Sequence, residues 1–131
     1  MARITDVYQH GEWKTEKHVP VIEAPDIVDS AYSITVNVTV GKEVPHPNTT
    51  EHHISWIELY FWEDGAKNPY QIGRFECTAH GATVNGPNTC AVLTDPTAAF
   101  SFKIEKSGTL MATSFCNIHG LWEDSKAIRV K

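Results

Sequence analysis

Tyr32-Ser33-Ile34-Thr35-Val36-Asn37-Val38-Thr39-Val40 alternates apolar and polar side chains without a break. Such a period of two places Tyr32, Ile34, Val36, Val38 and Val40 on one face and Ser33, Thr35, Asn37 and Thr39 on the other. This is the pattern of an antiparallel strand with one face in a core and one in water. Working outward, Ile54 to Trp62 reads as a second strand, rich in aromatic and β-branched residues, and Tyr70 to Ala79 as a third. Ala91 to Leu93 reads as a short fourth. Phe100, Phe102 and Ile104 alternate with polar residues in a fifth, Leu110 to Phe115 makes a sixth and Ala127 to Val130 a seventh. Glu63-Asp64-Gly65, Asn85-Gly86-Pro87-Asn88, Asp95-Pro96 and Lys106-Ser107-Gly108 supply turn chemistry between them. No window carries apolar residues at helical spacing for three turns. The pattern predicts an all-β fold, an immunoglobulin-like antiparallel β-sandwich of about seven strands. The first thirty residues, with Pro20 and Pro25, read as a long loop wrapping it. Tyr60-Phe61-Trp62 reads as an aromatic strand able to pair edges with a second copy.

The chain has 131 residues and 41% hydrophobic content, which suits a single domain over 1–131 with its own core. A net charge of −5 argues against nucleic acid as the main partner, because phosphate binding needs a basic face. No secretory signal and no membrane-crossing run is visible, so a cytoplasmic location is expected. Three cysteines without a C-x-x-C pair do not make a disulfide framework. Cys77 and Cys90 sit in strand-like contexts and read as buried, inert thiols.

The informative residues lie in three polar segments. They are His18 in Glu16-Lys17-His18-Val19-Pro20, His46 and His52 in His46-Pro47-Asn48-Thr49-Thr50-Glu51-His52-His53, and the run Cys116-Asn117-Ile118-His119-Gly120. Each candidate ligand falls in a loop or at a strand end, where a site can be assembled without disturbing the core. One turn can deliver both donors of a C-x2-H pair to one ion. Four imidazoles and one thiolate exceed the four ligands of a structural zinc. The surplus points to a metal that accepts five or six ligands, with iron the leading candidate.

These three segments, in this order, resemble the signature segments of superoxide reductases, the desulfoferrodoxin and neelaredoxin family. The similarity runs from about Gly11 to Glu123 and includes Thr78-Ala79-His80-Gly81 and Val84-Asn85-Gly86-Pro87-Asn88. Larger members carry an N-terminal four-cysteine iron module. With no cysteine before Cys77, the chain resembles the one-iron neelaredoxin type. The resemblance implies one iron per chain, cycling between Fe2+ and Fe3+. It implies four equatorial histidines, His18, His46, His52 and His119, with Cys116 axial. It implies that Glu16 can take the sixth position in the oxidised state and that Lys17 stands beside the open position. The implied reaction is the one-electron reduction of superoxide to hydrogen peroxide. The implied partners are a rubredoxin-like electron donor and further copies of the chain, a homotetramer being favoured.

An anionic substrate is compatible with an acidic chain. A charge ~6 Å from superoxide at an effective dielectric near 20 contributes about 3 kcal/mol, against roughly 0.2 kcal/mol for a carboxylate ~20 Å away in water. Of the other histidines, His53 adjoins His52 on a strand, so the two point opposite ways. Both parities of that strand hold apolar residues, and only the family pattern selects His52 as the ligand. His53 and His80 read as supporting residues, and Trp122 as packing under the ligand turn. Two other readings compete. A cupredoxin would need an axial methionine after His119, and the chain has only Met1 and Met111. A structural zinc would leave Glu16-Lys17-His18 idle.

Overall fold

The computed structural model describes residues 1–131. It has eight strands: β1 (Pro20–Glu23), β2 (Ile27–Val28), β3 (Ile34–Val40), β4 (Ile54–Glu63), β5 (Tyr70–Glu76), β6 (Thr97–Phe102), β7 (Gly108–Cys116) and β8 (Gly120–Val130). One sheet runs β1-β3-β6 and the other β2-β8-β7-β4-β5. The only helix is a single 3-10 turn, Ile4–Asp6, and no helix is long and apolar enough to cross a membrane.

The core lies between the sheets. From β3 it takes Val36, Val38 and Val40, the inward set of the alternating stretch. Ile57, Leu59 and Phe61 of β4 and Leu110 and Ala112 of β7 face them across the sandwich. The ambiguous parity of β4 is resolved by an irregularity. The register with β7 shifts between Ile54 and Trp56, so that three residues of β4 oppose two of β7. The extra residue lets Ile54 and Ile57 both point inward, against strict alternation.

Several expectations need correction. There are eight strands rather than seven, because the N-terminal loop contains two. Strand β1 was hidden because it is a short edge strand that begins with Pro20, and its buried run Val19 to Ile22 does not alternate. Two-residue β2 runs parallel to β8, so the sandwich is not wholly antiparallel. Ala91 to Leu93 is not a strand. It makes one isolated bridge, Leu93 to His80, and leaves Val92 68% exposed. Tyr60-Phe61-Trp62 cannot pair edges, since β4 lies between β7 and β5.

Candidate metal centre

The topology delivers every candidate ligand to one rim. Strand β1 begins where antiparallel β3 ends, at Pro20 beside Val40, so His18 and the His46 loop share an end. Strand β4 begins where β7 ends, at Ile54 beside Cys116, which brings His52 to the same end. A three-residue loop then joins Cys116 of β7 to Gly120 of β8. Gly120 has φ +85, as a hairpin loop of this length demands. His119 is the last residue of that loop.

At the rim the four imidazoles form a closed quadrilateral. Ring centroids lie 4.9 Å apart for His18–His46, 4.8 Å for His46–His52, 5.0 Å for His52–His119 and 4.7 Å for His119–His18. Ligand atoms of His18, His52, Cys116 and His119 all lie within 4.8 Å of one another. His46, diagonal to His119, completes the ring of imidazoles without belonging to that tightest set. Cys116 is fully buried, and its sulfur accepts the His119 backbone N–H at 3.3 Å. His119 itself is exposed. The donor set therefore has a buried sulfur and an imidazole that reaches the surface.

Hydrogen bonds choose the nitrogen that two of the rings turn inward. His46 Nδ1 lies 2.6 Å from the Pro47 carbonyl, and His18 Nδ1 lies 2.5 Å from Glu16 Oε1. Each nitrogen donates there, so Nε2 keeps its lone pair; that of His18 lies 3.1 Å from His119 Nδ1. Nε2 of His46 and of His52 is buried with no hydrogen-bond partner. Two buried, unpartnered nitrogens are costly unless an ion takes their lone pairs. Four imidazoles and a thiolate are soft-to-borderline donors that fit a transition metal.

Three of the rings are held toward the neutral form that a metal ligand requires. Burial lowers the pKa of His46 to about 4, opposed by its bond to Pro47 and helped by His18, His52 and Lys17. Burial also lowers His18, where Glu16 opposes and His119 and Lys17 add to the shift. His52 is lowered by burial, then by His119, His18 and Lys17. The Lys17 charge is thus felt by three rings at once. Glu16 accepts from both the backbone N–H and the ring of His18. Burial works against its charge, but those bonds outweigh burial and hold its pKa below the ordinary value.

The desulfoferrodoxin family model matches residues 10–125. The chain belongs to the desulfoferrodoxin family. It is 56% identical over 121 residues to the superoxide reductase of Pyrococcus furiosus, covering 92% of this chain and 95% of that one. It is 53% identical over 129 residues to the neelaredoxin of Megalodesulfovibrio gigas, covering 98% and 99%. The reduced neelaredoxin of Archaeoglobus fulgidus superposes with a TM-score of 0.88 at 57% identity, over 94% of this chain and 98% of that one.

Residues that are not themselves candidate ligands hold the rim together. Asn117 joins two ligand loops. It accepts the His53 N–H through Oδ1 at 2.9 Å and donates Nδ2 to the Glu51 carbonyl at 2.8 Å. Its position between Cys116 and His119 was the only signal available. Buried Ser114 donates to the His18 carbonyl at 3.2 Å, and Gln9 donates to the His119 carbonyl at 2.7 Å. Trp122 stacks on His18, with centroids 4.9 Å apart and planes at 12°. It also donates to the His119 carbonyl at 3.3 Å. Met111 lies on the face of β7 opposite Cys116. Cys77 is buried, and burial with Glu76 nearby pushes its thiol up to about 11, as an inert thiol requires. Cys90 is exposed, contrary to expectation, because its segment is not a strand.

Proposed function

We propose that the chain is a superoxide reductase, converting superoxide, one electron and two protons to hydrogen peroxide. The observation that carries this reading is the quadrilateral of imidazoles over a buried cysteine, with two orphaned nitrogens turned inward. The relatives named superoxide reductase support it. His18, His46, His52, His119 and Cys116 would hold one iron per chain. When bound, iron cycling between Fe2+ and Fe3+ supplies the single electron. Lys17 offers the charge that draws an anion to this rim of an acidic molecule. Glu16 orients His18 through its two bonds, and it must release them before it can approach the metal. The donor is a rubredoxin-like protein that docks where His119 reaches the surface, an encounter that needs only a small interface. The free thiols suit a reducing cytoplasm, and a homotetramer is the assembly inferred from the resemblance to the one-iron type.

Metal analysis of protein from its native host tests the reading, with about one iron per chain expected. The reduced protein should be oxidised by superoxide, forming peroxide without evolving oxygen. His46→Ala and Cys116→Ser should each abolish the visible band of the ferric form. A colourless, zinc-loaded protein, or oxygen evolution, overturns the assignment.

A further inference from the structure

The loop 77–94 contributes no candidate ligand, yet it grips the loop that carries two of them. His80 sits at the centre of this contact. Its Nδ1 lies 2.8 Å from Asn48 Oδ1 and its Nε2 lies 2.6 Å from the Cys77 carbonyl, just beyond β5. Its ring stacks flat on His53, with centroids 3.5 Å apart and planes at 5°. Its own carbonyl accepts from Thr50 Oγ1 at 2.8 Å. Asn48, Thr50 and His53 all lie between His46 and Ile54, the segment that presents His46 and His52. That segment has no strand of its own.

The orientation of Asn48 is not free. Its Nδ2 donates to the Thr94 carbonyl at 2.8 Å, so Oδ1 must face His80. Both ring nitrogens of His80 therefore meet oxygen acceptors. The neutral ring, which burial favours, donates to one of them, and the imidazolium donates to both. Asn88 extends the grip. Its side chain accepts from the Thr50 N–H at 2.9 Å and donates to Glu51.

We propose that His80 is a positioning residue for the metal centre, bracing the 46–53 loop so that His46 and His52 keep their inward nitrogens on a shared ion. The proposal rests on the metal-binding reading above it. It assigns the loop 77–94 the role of a bracket. A short polar loop held only by its own turn would sample many conformations and pay ordering entropy at each metal-binding event. The bracket pays that cost during folding.

The test measures metal binding rather than turnover. Metal-free full-length protein is titrated with Co2+ as an optical probe and, without oxygen, with Fe2+, well below the melting temperature. His80→Ala should raise both dissociation constants about tenfold or more, the range seen when outer partners of metal ligands are removed. It should also shift the Co2+ bands, because the rings lose their orientation. His80→Gln, which keeps an N–H donor for these oxygens but has no ring to stack on His53, should fall between Ala and the parent. Asn48→Ala should reproduce the His80→Ala shift, and it carries the test if His80→Ala does not fold. Unchanged constants and bands in all three variants, with only the metal-free melting temperature lowered, overturn the proposal. Failure of the parent protein itself to bind either metal tightly would instead overturn the metal-centre reading.

Discussion

At the residue scale, one lysine must work against the whole molecule's charge. Lys17 is half-buried, and its ammonium depresses the pKa of His18, His46 and His52 together, which places its field over the ring of imidazoles. A carboxylate elsewhere on the surface is screened by salt beyond about 8 Å, so the local charge dominates what an approaching anion meets. Lys17→Ala is expected to lower the second-order rate constant for superoxide by about tenfold at low ionic strength, and by less in high salt. Pulse radiolysis at two salt concentrations measures this, and equal rates for parent and variant at both would remove Lys17 from substrate capture. Lys17 was visible in the sequence only because a motif surrounds it. The job that Glu16 performs here was not visible. That a carboxylate two residues before a histidine bonds both its N–H and its ring depends on the backbone path into β1, which residue spacing does not record.

At the element scale, the strands that alternate were legible and those that do not were missed. The inward set of β3 and the hydrophobic runs of β4 and β7 announce themselves because one face is buried and the other wet. Strand β1 is buried nearly throughout and opens with a proline, so it lacks a period. Ala91 to Leu93 has strand composition but pairs only through the single bridge of Leu93 to His80, and one bridge makes no ladder. The turn after β3 shows how an element sets a candidate ligand. Gly41 has φ +78, and a Cβ there would meet the His46 backbone nitrogen at 2.6 Å. Gly65 has φ +80 in the turn after β4, with nothing within 4 Å. Each Gly→Ala change should cost about 1 kcal/mol or more of stability through backbone strain. Only Gly41→Ala should also weaken metal retention, because it displaces His46. Denaturant midpoints and chelator competition on the two variants separate the effects. Equal metal retention in both would mean that the loop absorbs the clash without moving His46.

At the scale of the whole molecule, gathering four imidazoles into one rim makes the metal-free fold sensitive to acid. His18, His46 and His52 all have folded-state pKa values below the ordinary histidine value, and His46 falls to about 4. Between about pH 6.5 and 4 the unfolded chain therefore binds protons that the folded chain refuses. Stability rises with pH wherever the unfolded state holds more protons. The sign is thus fixed: metal-free stability is full above the unfolded histidine value and declines as pH falls toward 4. His46 alone accounts for about 2–3 kcal/mol of that loss, once its partial exposure is discounted. Bound metal adds a term that grows with the ratio of metal concentration to dissociation constant, about 4 kcal/mol at a thousandfold excess. Protons compete for the same nitrogens, so this term shrinks over the same window. Urea melts of metal-free protein at pH 8, 6, 5 and 4 should show the midpoint falling steeply below pH 6.5. His46→Asn should flatten the fall, because the variant no longer takes up that proton on unfolding. A parent midpoint that stays level from pH 7 to pH 5 would mean that water enters the rim and solvates the rings, and the orphaned nitrogens would then lose their claim on an ion.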